Sequence, residues 1–120
     1  MSLLEVEKWE IAEGNEEAHH QMIRAWFQFV KEHYAELFAE WKSTRYYRET
    51  DREGQPTGRY VMLFEFRSVE GHHAYKERRK DWSGPYAAYK AVDPYQFFKH
   101  ESVTIEYWEP QEVNLWFEFD

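Results

Sequence analysis

No cysteine occurs in the 120 residues, which excludes disulfides, thiol nucleophiles and thiolate-held metals. No apolar run approaches the roughly 18 residues of a membrane-crossing helix. Nor does the chain open with the charged and then apolar pattern of a signal peptide. A cytoplasmic protein with no membrane partner is therefore expected. Basic charge is also short. Fifteen Lys and Arg stand against 23 Asp and Glu, for a net charge of −8, which argues against nucleic acid and anionic surfaces as partners. The one basic cluster, Lys76, Arg78, Arg79 and Lys80, is interrupted by Glu77 and followed by Asp81, the pattern of a solvated helix face. A Gly-rich phosphate loop, a G-x-S-x-G elbow and a Ser/His/Asp order are absent as well.

Aromatic rings are in surplus. Six Trp, nine Tyr and nine Phe make up 20% of the chain, more than a core of this size needs. Such a surplus either lines a cavity or a subunit interface or replaces aliphatic residues in the core. The length fits one domain, 1–120, able to bury a core.

Leu3 to Ile11 reads as a strand with Glu5, Glu7, Trp9 and Ile11 on one face. Asn15 is a candidate N-cap, and Glu16 and Glu17 suit the positive end of a helix. From there to about Phe38, apolar residues at Met22, Ile23, Trp26, Phe27, Val30, Tyr34, Leu37 and Phe38 predict a long amphipathic helix. Residues 41–50 read as a strand, "DREGQPTG" as a hairpin connection, and residues 59–66 as a central strand. A second helix starts near Ser68, whose hydroxyl can accept from a first-turn amide while Glu70 favours the helix N-terminus. "WSGPY" breaks that helix, and "YAAYKAV" predicts a short one closed at Asp93-Pro94. A strand follows over 102–110, and alternation over 113–119 predicts an extra terminal strand within 113–120. The order βαββαβ predicts an α+β, ferredoxin-like antiparallel sheet with both helices on one face. Both faces of the third strand are apolar, Tyr60/Met62/Phe64/Phe66 and Val61/Leu63, so the open face also needs cover. A second copy of the chain is the expected cover.

That order, together with "EFRSVEGHHAY" at the junction of third strand and second helix, resembles the dimeric α+β barrel superfamily. In its antibiotic-biosynthesis-monooxygenase-like branch, the junction places an aromatic, then Ser or Asp, then an acid two residues on, as Phe66, Ser68 and Glu70 do here. The resemblance covers about residues 3–109 in topology and implies a homodimer with sheets paired face to face. Heme-degrading members carry an Asn, a Trp and a heme-ligating His at places that fall here on Glu7, Phe66 and about Pro85. None of the three matches, and His100 lies too far along, so heme degradation is disfavoured and no cofactor is expected.

Among candidate site residues, His72 follows helical spacing with Val69 and with Lys76 or Tyr75, and is expected to point inward. There it could act as a general base or a ligand's hydrogen-bond partner, or be a core histidine satisfied by a tyrosine or a carbonyl. His73 projects about 100° away. Glu5 and Glu7 lie on the Trp9 side of strand one. Buried, either carboxyl would be raised and suited to proton transfer; at a solvated sheet end they are solubilising charges. No His pair has the i, i+4 spacing of a helical zinc site, and no metal is expected. Catalytic roles fall to His72 and Glu7, and ligand contacts to Trp9, Phe66, Tyr47 and Trp108. The implied function is binding of a small aromatic ligand, as a cofactor-independent monooxygenase or isomerase acting on an aromatic or polyketide-like compound. The reading from another class is a non-catalytic homodimer, a stress-response or interaction module whose rings are core and interface.

Overall fold

A computed structural model of the chain describes residues 2–111 and 115–120. Its elements are β1 (Leu3–Ile11), α1 (Glu16–Leu37), β2 (Trp41–Thr50), β3 (Pro56–Phe66), α2 (Val69–Arg79), three short 3₁₀ turns (Pro85–Ala87, Tyr89–Val92, Pro94–Phe97) and β4 (Phe98–Trp108). The strands form one antiparallel sheet in the order β2-β3-β1-β4. This is the ferredoxin-like α+β arrangement. The core lies between the helices and one sheet face, where Trp9, Met62, Phe64 and Phe66 meet Ile23, Trp26 and Val30 of α1 and Tyr75 of α2.

The short α2 begins where the sequence predicts. Ser68 is extended, and its hydroxyl accepts from the Gly71 amide at 2.9 Å, supplying a partner that the first helical turn lacks. The start of α1 differs. Asn15 makes no side-chain cap bond, and its carbonyl simply accepts the first helical bond, from the His19 amide. The segment "YAAYKAV" forms 3₁₀ turns where a short helix is expected, with prolines opening the first and third turns of the 85–97 stretch. β4 starts at Phe98, four residues before its expected beginning. Its pairing with β1 shifts register between Lys8↔Thr104 and Glu10↔Lys99, and the Ser102 hydroxyl accepts from the Glu10 amide at 2.8 Å within that break. The polar run Lys99-His100-Glu101 hides this first part of the strand from alternation. The tail is a further difference. Residues 113 and 114 of the expected terminal strand lie outside the described residues, and 115–120 do not join the sheet, leaving Leu115, Trp116, Phe117 and Phe119 exposed. A strand needs a neighbour for its backbone groups, and 115–120 pair with no strand among the described residues.

The buried stripe of α1 is His19, Ile23, Trp26, Phe29, Val30 and Leu37, so a histidine takes its first place. The Trp9 indole donates to His19 Nε2 at 3.0 Å, and the Trp9 ring stacks on Phe98 at 4.2 Å. Together they tie the first helix to the centre and edge of the sheet. Burial holds the His19 imidazole down at about 4, against an ordinary 6.5, because its charged form would be stripped of water. The unfolded chain therefore binds a proton that the fold excludes, and this stability is lost as pH falls from 6.5 through 4. Urea unfolding of the wild type should lose about 2 kcal/mol more than His19→Gln between pH 7 and pH 5. Equal losses would show that His19 protonates freely in the fold.

Candidate active site

Between the sheet and α2 lies a cavity of about 260 Å³, just below the usual size range of small-molecule sites, which starts at about 300 Å³. Strand alternation puts Glu5, Glu7 and Trp9 of β1 on its floor, in register with Phe64, Met62 and Tyr60 of β3. Trp41 and Phe66 close one end, and Phe98 lies at the Trp9 end. Tyr75, Lys76 and Arg79 of α2 form the roof, while Tyr89, Asp93, Pro94 and Tyr95 of the 3₁₀ segment complete the wall.

Two carboxylates on the inner face of a central strand are costly unless compensated. Glu5, only 3% exposed, is compensated by α2. It accepts from His72 Nε2 at 3.0 Å and lies 3.2 Å from the Lys76 ammonium. His72 and Lys76 stand one helical turn apart, so both reach the same carboxylate. Asp93 is likewise paired with Arg79, at 3.1 Å, and that guanidinium lies over the Tyr89 ring at 4.6 Å. Glu7, two residues along from Glu5, has no hydrogen bond or ion pair among the described residues. Burial first, and then the negative charge of Glu5, push its carboxyl up to about 7 against the opposing influence of Lys76 and Arg79. A carboxyl that ionises near neutrality, in an aromatic cavity, is suited to take and return protons.

The expected site residues separate into three groups. Glu7, Trp9 and Phe66 are in the cavity wall. His72 is buried on the inner side of α2 with its ring edge-on to Phe66, but it does not line the cavity and instead holds Glu5. Tyr47 and Trp108 face the other way, a correction to their expected place at the ligand. Tyr47 is in register with Val61 and Trp108 with Leu4, both on the sheet face away from the helices, and the two rings are 46% and 49% exposed. A register shift between Trp41 and Ser43 in β2 reverses the alternation that would have put Tyr47 on the same face as Trp41. Sequence reasoning missed Trp41, Tyr75, Arg79 and Asp93. Tyr75 and Arg79 were recoverable, since they follow His72 at helical spacing. Among the described residues, no group of three or more His, Asp and Glu is placed to hold a metal. No helix of the described chain is long and apolar enough to cross a membrane.

The fold is shared with several solved proteins. An antibiotic biosynthesis monooxygenase of provisional assignment, from Bordetella bronchiseptica, superposes with a TM-score of 0.61 at 12% identity, over 92% of this chain and 98% of that one. A NIPSNAP family protein from Agrobacterium tumefaciens gives 0.61 at 14% identity, over 94% and 96%. The Arabidopsis thaliana protein At3g17210 gives 0.60 at 19% identity, over 94% and 99%. At these identities the likeness is one of fold. No family model and no curated protein matches the sequence.

Because the fold raises the Glu7 pKa, folding takes up a proton between about 4.5 and 7. The stabilising contribution is therefore complete below 4.5 and is lost as pH rises through 7. Glu7→Gln should stabilise the protein by about 2 kcal/mol more at pH 8 than at pH 5 in urea unfolding. A gain independent of pH would mean that Glu7 ionises as an ordinary surface acid.

Proposed function

We propose that the protein is a homodimeric, cofactor-independent isomerase that moves a proton on a small, flat, aromatic or polyketide-like compound, with Glu7 as the base. The observation that carries this reading is the unpaired Glu7 carboxyl, raised to about 7 on the floor of an aromatic cavity. Its carboxylate takes a proton from an acidic C–H of the bound compound, and the C–H electron pair delocalises into the conjugated ring system. The resulting Glu7 carboxylic acid then gives the proton back at another position of that system, which regenerates the carboxylate. Electrons and protons balance within substrate and enzyme, and no oxidant enters. Glu5 has a different role. Fixed by His72 and Lys76, it supplies the nearby negative charge that helps keep Glu7 weakly acidic.

The non-catalytic reading is weaker for a physical reason. An unpaired carboxyl buried on a central strand costs stability at neutral pH, and a purely structural dimer gains nothing in return. Dimerisation itself rests on the sheet face turned away from the helices. Leu4, Val61 and Leu63 share that face with the exposed rings of Tyr47 and Trp108, and a second copy would remove this apolar surface from water.

Two measurements test the reading. Native mass spectrometry should give a dimer for the wild type and a monomer for Leu63→Lys; a wild-type monomer would rule out the paired barrel. Hydrogen–deuterium exchange at the acidic carbons of 2-tetralone, followed by proton NMR, should be accelerated by the wild type, with a rate that rises through pH 7. Glu7→Gln should lose at least about a hundredfold of that acceleration. Exchange equally fast in the variant would remove Glu7 from the mechanism.

A further inference from the structure

Three tryptophans are buried in the subunit, Trp9, Trp26 and Trp41. The first two place their indole N–H groups well. Trp9 donates to His19, and Trp26 donates to the Tyr89 hydroxyl at 2.9 Å. Three tyrosines are equally buried, Tyr75, Tyr86 and Tyr89. Tyr86 donates to the Leu37 carbonyl, and Tyr89 accepts from Trp26. That leaves Trp41 Nε1 and the Tyr75 hydroxyl, both buried and both without a partner among the described residues. Their residues are 2% and 1% exposed, and their rings meet edge to face at 5.4 Å. Both line the same cavity as Glu7. The other unpartnered buried polar atoms belong to His19, Thr44, Tyr46, Arg59 and His72, none of which lines it.

Protein interiors seldom leave strong donors on two touching rings idle, since each loses its water and gains nothing in exchange. An indole nitrogen donates only, and burial holds the Tyr75 hydroxyl well above its ordinary value, so it keeps a proton to donate. The cations of the wall are already engaged, Lys76 with Glu5 and Arg79 with Asp93. A carboxylate or phosphate entering here would meet Glu7 and find no unpaired counter-charge among the described residues.

We infer that Trp41 Nε1 and the Tyr75 hydroxyl together bind one carbonyl oxygen of the substrate, which is therefore an uncharged aryl or conjugated ketone. The inference rests on the proton-transfer reading of the same cavity and narrows its substrate class. As Glu7 withdraws a proton next to the carbonyl, negative charge gathers on that oxygen, where two dry, preplaced donors stabilise it most. The pair thus selects for a ketone and lowers the barrier to making its enolate.

The test uses two uncharged bicyclic probes of matched shape, 2-tetralone and tetralin, which differ in the carbonyl. Wild-type protein should bind 2-tetralone the tighter of the two by about tenfold or more, and the infrared carbonyl stretch of bound 2-tetralone should move to lower frequency. Tyr75→Phe should weaken 2-tetralone about tenfold, reverse part of the infrared shift and leave tetralin binding unchanged. Because it deletes an unpartnered hydroxyl, the same variant should melt no lower than wild type. Trp41→Phe should reverse the rest of the shift. Failure of 2-tetralone to bind tighter than tetralin, failure to bind at all, or an unmoved carbonyl stretch would each overturn the inference. Glu7→Gln separates this result from the reading it rests on. It should retain the carbonyl shift while losing deuterium exchange. A shifted carbonyl in wild-type protein that catalyses no exchange would sustain the donor pair and dismiss Glu7 as base. Exchange without a shift would do the reverse.

Discussion

The whole inner architecture depends on one constraint: the central strand β1 carries two acids, Glu5 and Glu7, on the face that the helices cover. Burying acid requires counter-charge or hydrogen bonds, and α2 is built to bring them. Its inward side reads His72, Tyr75, Lys76 and Arg79, so a residue able to satisfy a carboxylate arrives at almost every turn. Arg79 in turn is secured by Asp93 and the Tyr89 ring, which draws the 3₁₀ segment down over the cavity. The compensation is deliberately unequal in its effect. Among the described residues Glu5 receives two partners and Glu7 none, and the Glu7 carboxyl is pushed up to about 7.

The aromatic surplus follows from the same constraint. Rings surround the acids because flat side chains can wall a cavity without filling it, and each contributes area that stabilises the core by roughly 1.5–3 kcal/mol when fully buried. Their polar tips then sort the interior. Where an indole or phenol finds a protein partner, as Trp9, Trp26 and Tyr86 do, the contact joins elements distant in sequence. At Trp41 and Tyr75 no such partner stands among the described residues, and both residues line the cavity.

Much of the fold was legible because it rests on local periodicity. The 3.6-residue stripe of α1, the two-sided apolar β3 and the Ser68 cap are all properties of contiguous residues. Glu7 and Trp9 could be placed on one face by alternation alone. Other features depend on events that alternation does not record. The irregularity at the start of β2 reverses the face of Tyr47, and the break in β4 hides four residues of strand. His72 was found on the right side of its helix, yet its partner lies 67 residues away on β1, and only the folded chain reveals that the ring serves Glu5 and stands behind the cavity wall. His19 gives little signal because it lies beside Glu16, Glu17 and His20 in the polar start of the helix, although it stands at helical spacing from Ile23 and Trp26.

The three 3₁₀ turns between α2 and β4 have a kinetic consequence. Floor and ends of the cavity belong to a sheet whose strands are bonded on one or both sides, whereas the wall from Tyr89 to Tyr95 is held by short turns of poor hydrogen-bond geometry. Opening such a segment disturbs far less of the structure than parting the sheet. In the proposed reading a guest molecule would therefore pass most cheaply through that wall, so that its residence time, set by residues 85–97, and its reactivity, set on β1, could be altered separately.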